Sequence, residues 1–110
     1  MTLLIKPYSV KVNGFPAYTF FATSPGKARV EAWHSYGIYS SATTFGEFLR
    51  ISRVTRGVAP AHFGREVRVA GKPAYFVEFS ASGNNHRFVW PDSDQILLAH
   101  EADFEGLPTR

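Results

Sequence analysis

Two Gly-Lys pairs, Gly26-Lys27 and Gly71-Lys72, are the first candidates for chemistry, because this dipeptide occurs in phosphate-binding loops. A phosphate-binding loop needs a glycine five residues before Gly-Lys and a hydroxyl after it, because backbone amides surround the phosphates and the hydroxyl binds the metal. Other residue types occupy those positions at both pairs. A helix that begins near Pro25 could still receive an anion on its free amides, although ordinary capping by Thr23 or Ser24 explains the same residues.

The histidines, acids and serines show no catalytic or metal-binding spacing. His34, His62, His86 and His100 lie too far apart for the helical zinc motif, and cysteine is absent. No serine stands in a Gly-x-Ser-x-Gly elbow, although a triad that meets only in space would leave no such motif. The sequence therefore predicts a non-catalytic protein that uses no metal or other cofactor.

Basic residues indicate one class of partner. The net charge is +3 and the pI is about 9.5, and eight of the 12 basic residues are arginine. These charges permit an anionic partner, and arginines neutralise phosphates. The candidate nucleic-acid or acidic-surface patch comprises Arg50, Arg53, Arg56, Arg68 and Arg87. Spacing by three on a regular strand sends Arg53 and Arg56 to opposite faces, so a set of separate solvated charges is the alternative.

Aromatic residues indicate another class of partner. The chain has 10 Phe, 5 Tyr and 2 Trp, and Tyr, Trp, Phe and Arg are enriched at protein-binding hot spots. The candidate partner-binding residues are Tyr36 and Tyr39 near the end of the first predicted helix, Tyr75 on the outer face of a hairpin, and Trp90. Trp33 is assigned to the core.

The N-terminal half predicts a hairpin and two helices. Two β-favouring runs, residues 8–12 and 17–21, flank Asn13-Gly14, the strongest short signal for a hairpin. A helix is expected over residues 25–36, with an apolar stripe that packs on the hairpin. Thr44 and Glu47 match a capping box and predict a second, short helix.

The C-terminal half predicts an all-β lobe. After a strand over residues 51–56, a connection with no periodicity follows Gly57 and separates a ββαα lobe, residues 1–57, from residues 58–110. A hairpin that pairs Val69 with Ala74 is followed by strands over residues 86–90 and 95–99, and the chain is expected to fray from Gly106. We predict one α+β domain whose small antiparallel sheet bends toward an SH3-like half-barrel.

Composition is typical of one compact domain without a membrane span. The chain has 110 residues, of which 45% are hydrophobic, enough for one core. The absence of cysteine favours a cytoplasmic location. No apolar run approaches the roughly 20 residues that span a bilayer. The apolar segment at the start of the sequence is too short for that of a secretory signal. Neither membrane insertion nor export is expected.

Several segments together resemble a class of small phage and prophage accessory proteins. The segments are residues 22–29, Trp33, Thr44-Phe45, Phe48-Leu49, residues 53–56, residues 64–71 and residues 100–103. The resemblance extends over about residues 8–107. It implies a protein of the host-cell cytoplasm that has no cofactor, and such proteins include anti-CRISPR inhibitors that occupy a surface of a defence complex.

The sequence therefore supports two functional hypotheses. The first is a non-catalytic protein-interaction module of phage type, an anti-CRISPR-like inhibitor that blocks a host complex such as a CRISPR effector. The alternative is a small basic nucleic-acid-binding protein. Salt separates the two, because phosphate binding weakens steeply with rising salt and an interface of buried aromatics changes much less.

Overall fold

The computed structural model describes residues 2–37 and 43–110, which form an α+β fold that is mostly sheet. These residues contain two α-helices and eight β-strands in two antiparallel sheets. The chain divides into two compact units. The N-terminal unit is Ile5–Val58, and the C-terminal unit is residues 2–4 with Ala59–Arg110. The division follows Val58, one residue after the predicted lobe boundary, but residues 2–4, which the prediction placed in the N-terminal lobe, belong to the C-terminal unit.

The N-terminal unit has a three-stranded sheet in the order β2-β1-β3. Its strands are β1 (Lys6–Val12), β2 (Tyr18–Ala22) and β3 (Ser52–Arg56). Val10 lies between Tyr18 and Val54 in register, so these three side chains share one face. The turn between β1 and β2 spans residues 13–17 and has Gly14 at φ 86°, a left-handed conformation that glycine adopts at little cost.

Two helices follow the hairpin, and each begins at the hydroxyl cap that the sequence predicts. Helix α1 is Pro25–Gly37, and helix α2 is Phe45–Ile51. Ser24 Oγ accepts the Lys27 amide at 3.2 Å, and Thr44 Oγ1 accepts the Glu47 amide at 3.2 Å. Each bond satisfies one of the amides that the first turn of a helix leaves without a partner.

The core of the N-terminal unit lies between its sheet and its helices. Phe48 of α2 is fully buried there, and Trp33 of α1 packs against the same cluster. The buried members are Tyr8, Val10, Val12, Ala22, Ala28, Ala32 and Phe48. The assignment of Trp33 to the core is confirmed, and its indole N–H donates to the Thr43 carbonyl at 3.1 Å.

The C-terminal unit has a five-stranded sheet in the order β7-β6-β5-β4-β8. The strands are β4 (Glu66–Val69), β5 (Lys72–Phe79), β6 (Asn85–Val89), β7 (Ile96–His100) and β8 (Phe104–Glu105). A 3-10 helix, Glu101–Asp103, precedes β8. Consecutive strands β4 to β7 are neighbours, and β8 returns to pair with β4.

The register of the β4–β5 hairpin corrects the prediction. Val69 pairs with Lys72 and not with Ala74, because only Ala70 and Gly71 form the turn. Both have positive φ, 51° and 79°, as a tight hairpin turn of the primed type requires. The two-residue shift keeps every side chain on its face, since the side-chain period of a strand is two.

The last residues of the chain also differ from expectation. Leu107 packs against the core of the C-terminal unit, Pro108 is buried, and the Arg110 guanidinium lies 5.1 Å from the centre of the Phe79 ring. The expected fraying from Gly106 is therefore wrong. Burial of two apolar residues and a cation–π contact hold this segment.

Gly57 ends β3 at a place where its backbone meets β1. Its amide donates to the Pro7 carbonyl at 3.0 Å, and an added Cβ would lie 3.0 Å from the Tyr8 carbonyl carbon. Because backbone atoms cannot yield as a side-chain end can, we expect Gly57→Ala to lower the free energy of unfolding by about 1–2 kcal/mol in urea denaturation. Gly46→Ala is the control, since nothing lies within 4 Å of its added Cβ and alanine favours a helix. Equal stability of the two variants would contradict this close approach.

Candidate functional site

The N-terminal unit has an open pocket between its hairpin and helix α1, which we call the aromatic pocket. Its volume is about 590 Å³. The lining comes from β1, the turn, β2 and the second half of α1: Val10, Val12, Phe15, Pro16, Tyr18, Thr19, Phe20, Ala32, Ser35 and Tyr36. None of these residues is charged, and the polar side-chain groups are hydroxyls. Such a lining suits an apolar or aromatic group whose polar end contacts hydroxyls.

Two aromatic side chains stand at the open side of the aromatic pocket. Phe15 is 42% exposed and Tyr18 is 60% exposed, so both retain large apolar surface that solvent reaches. The Phe15 ring meets Tyr36 edge-on, with ring centroids 5.4 Å apart and an interplanar angle of 89°. Tyr36 in turn packs on the buried Phe48 at 5.5 Å. The pocket wall is thereby fixed to the core.

Backbone bonds position the turn that carries Phe15. The Phe15 amide donates to the Val12 carbonyl at 3.0 Å, and the Asn13 amide donates to the Ile51 carbonyl at 2.9 Å. The Lys11 ammonium donates to the Val12 carbonyl at 3.0 Å and also to the Phe15 carbonyl. These bonds hold Phe15 in place before any partner arrives, which lowers the entropy cost of binding.

The predicted partner-binding aromatics have different locations. Tyr36 lines the aromatic pocket and is half-buried. Tyr75 is 8% exposed, so its expected position on an exposed outer face is wrong: it pairs in register with Val89 in the interior of the sheet. Trp90 is half-buried and packs edge-on against Phe88 at 4.9 Å, as part of the C-terminal core. Tyr39 lies outside the described residues.

Sequence reasoning missed Phe15 and Tyr18 as site residues. Phe15 belongs to the turn and Tyr18 begins β2, so neither belongs to the helix-end cluster on which the prediction relied. The available signal was their place beside Asn13-Gly14, because aromatics at the tip of a hairpin have few neighbours that can bury them. Alternation along β2 also puts Tyr18 and Phe20 on the same face of the sheet.

The arginines of the candidate patch are distributed over both units. Arg53 pairs with Lys11 and Arg56 pairs with Tyr8, so these two arginines lie on opposite faces, as their spacing predicts. Arg50 is exposed on α2. In the C-terminal unit Arg68 donates to the Gly71 carbonyl at 3.1 Å, and Arg87 pairs with Glu78 at 3.3 Å. The latter two therefore have local partners.

A buried histidine in the C-terminal unit is a second feature that could have a functional role. His86 is fully buried, and its Nδ1 accepts the Ser80 amide at 3.2 Å. Burial lowers the pKa of His86, Arg110 lowers it further, Glu101 at 4.0 Å opposes the shift, and His100 lowers it. Because no part of the ring reaches solvent, it cannot meet a substrate in this conformation. His86 therefore organises the loop at Ser80.

Across residues 2–37 and 43–110, no three His, Asp or Glu side chains lie close enough together to bind a metal ion. Neither described helix has the length and apolar character needed to cross a membrane. Comparison with protein families, curated proteins and solved structures finds no match to this chain. The aromatic pocket and the positive charge of the N-terminal unit are therefore the features of the described residues that bear on function.

Proposed function

We propose that the protein is a non-catalytic interaction module that binds a partner protein through the aromatic pocket and acts by occupying the partner's surface. The observation that carries this proposal is the pocket itself, with exposed aromatics at its opening and a wall fixed to the core. Binding energy at protein interfaces is concentrated in a few well-packed aromatic anchors. A pocket whose walls are already in place receives such an anchor without reorganisation.

The resemblance to phage accessory proteins supports a partner that is a protein of the host cell. We propose that this partner belongs to a host defence complex in the host-cell cytoplasm, a CRISPR effector being the example the resemblance supplies. We further propose that the C-terminal unit is an SH3-like half-barrel, which the return of β8 to pair with β4 supports.

The charge distribution favours nucleic-acid binding as the second candidate. Residues 5–58 contain seven Lys and Arg against two Glu, a net charge of +5, whereas the C-terminal unit has five basic and seven acidic residues, a net charge of −2. The positive charge is thus concentrated in one unit. Arg50, Arg53 and Arg56 are exposed there and could neutralise phosphates.

Co-purification tests the proposal against this alternative. The tagged protein is recovered, after nuclease treatment and at moderate salt, from cells that carry a candidate defence complex. The pocket variant replaces Phe15 and Tyr18 with alanine, and the matched control is Leu98→Ala, since Leu98 is 64% exposed in the C-terminal unit. We expect the wild type and the control to retain a stoichiometric protein, and the pocket variant to lose at least about tenfold in recovery.

Two outcomes would overturn the proposal. Equal recovery of the protein partner with the pocket variant would put the binding surface elsewhere. Recovery of nucleic acid alone, lost as salt rises, would favour the arginines of the N-terminal unit instead.

A further inference from the structure

We infer that the aromatic pocket binds an acidic, extended segment of its protein partner, anchored by one aromatic or large aliphatic side chain. This inference rests on the proposed function and specifies the chemistry of the partner. It follows from three features of the N-terminal unit: its excess of positive charge, an opposed pair of cations at the hairpin tip, and a sheet edge that the pocket reaches.

The first feature is the positive charge of the N-terminal unit. The pocket lining has no charged residue, yet it lies in a unit with a net charge of +5, and both acids of that unit, Glu31 and Glu47, are on helices. A partner with the opposite sign is drawn to such a surface faster than a neutral one, and a basic partner is rejected. The anchor supplies apolar contact, and flanking acids supply the attraction.

Two cations, Lys11 and Arg53, lie on the face of the sheet opposite Val10 and Val12 of the pocket lining. They stand directly opposite each other on β1 and β3, on one face of the sheet, and both are exposed. Like charges in this relation destabilise a sheet. Their described neighbours on that face, Ser9, Thr19 and Thr55, are neutral. A carboxylate from a partner would relieve this repulsion.

Lys11 connects the cation pair to the pocket. Its ammonium bonds to the carbonyl of Phe15, whose ring lines the pocket, so the positive charge lies at the hairpin tip beside the opening. An acid next to the anchor side chain of a bound segment would meet this ammonium. Arg53 lies on β3, on the far side of β1 from the β2 edge, and adds to the positive potential of this face without contacting the segment.

The sheet edge favours an extended conformation for the segment. β2 is an edge strand of the three-stranded sheet. The Pro7 carbonyl accepts the Gly57 amide on the β3 side, so the alternation of an antiparallel ladder turns the amide and carbonyl of Thr19, opposite Ser9, away from β1. The side chain of Thr19 lies on the face away from the pocket, yet Thr19 lines it, so the pocket reaches this backbone. A peptide strand can add there.

Selection from a randomised peptide library tests the inference. The full-length protein is immobilised, enriched peptides are sequenced, and the affinity of the best one is measured by fluorescence polarisation. We expect enriched peptides to combine one aromatic or large aliphatic residue with flanking Asp or Glu. Tyr18→Ala should weaken the best peptide by at least about thirtyfold, and replacing Lys11 and Arg53 with glutamine should weaken it by about tenfold. Leu98→Ala is the control and should bind normally.

The outcomes separate this inference from the proposed function. Enriched peptides that are neutral or basic but still depend on Tyr18 would overturn the acidic partner and leave the proposed function standing. Enriched peptides that ignore Tyr18 would overturn both. A labelled single-stranded oligonucleotide is the second probe, and binding that depends on Lys11 and Arg53 but not on Tyr18 would show a polyanion surface and overturn the inference.

Discussion

Phe48→Ala is expected to lower the free energy of unfolding of the N-terminal unit by about 3–5 kcal/mol. Phe48 is fully buried, and its ring contacts Tyr36 of the aromatic pocket. Truncation removes the apolar contact of a whole ring and leaves a cavity that a sheet and two helices can close only in part. Amide hydrogen exchange of residues 5–58 measures the loss within this unit.

Leu49→Ala is the matched control for Phe48→Ala. Leu49 is the next residue of α2 and is 42% exposed, so its truncation removes little buried surface. We expect a change within about 0.5 kcal/mol. A loss below about 1 kcal/mol for Phe48→Ala would show that α2 adds little to this core. A loss as large as expected would also loosen Tyr36, and pocket binding should weaken with it.

Local signals account for most of the elements that the sequence predicted correctly. Asn13-Gly14 marked the first hairpin, and Thr44 marked the start of α2 by its cap to Glu47. Thr44 itself accepts the capping bond, and Asn13-Gly14 lie inside the turn that the bond from the Phe15 amide to the Val12 carbonyl closes. A single sequence is informative wherever structure depends on neighbours along the chain.

Pairing between distant segments was less predictable. A strand over residues 51–56 was expected and β3 forms there, but its place beside β1 follows from contacts more than forty residues apart, as Val10↔Val54 shows. β8 has only two residues, too few to show the alternation of apolar and polar residues that marks a strand. It forms because Phe104 enters the C-terminal core. Register in the β4–β5 hairpin depended on Ala70, a residue type that seldom adopts positive φ.

The sequence predicted the type of the candidate site, a protein-binding surface rich in aromatics, better than it predicted which residues form it. Aromatic content indicated a protein-binding surface, and Tyr36 does line the pocket. Tyr75 was placed on the exposed face by alternation alone, but which face of a sheet is covered depends on tertiary packing that alternation does not contain. Phe15 became important because the turn holds it over Tyr36, a contact across 21 residues of chain that no local pattern encodes.

The stability of the protein is expected to fall as pH decreases below about 6.5, because His86 is buried with a lowered pKa. In the unfolded chain the imidazole takes a proton near its ordinary pKa of 6.5, whereas in the folded protein burial and Arg110 oppose protonation. Between the lowered folded pKa and 6.5, the unfolded state therefore binds more protons. The contribution of His86 is complete above pH 6.5 and is lost as pH falls toward the folded pKa.

His86→Asn isolates this proton linkage. The asparagine oxygen can still accept the Ser80 amide that His86 Nδ1 accepts at 3.2 Å, but the side chain does not titrate. We expect the variant to be less stable by about 2–4 kcal/mol at pH 7.5, because it loses ring contacts with Phe79. Its urea midpoint should then change less than that of the wild type between pH 7.5 and pH 5. Phe88→Leu is the control, since it loosens the same core without removing a titrating group and should keep the wild-type pH dependence. If His86→Asn retained the full decline at low pH, another group would have to cause it, and the buried imidazole would be only a packing element.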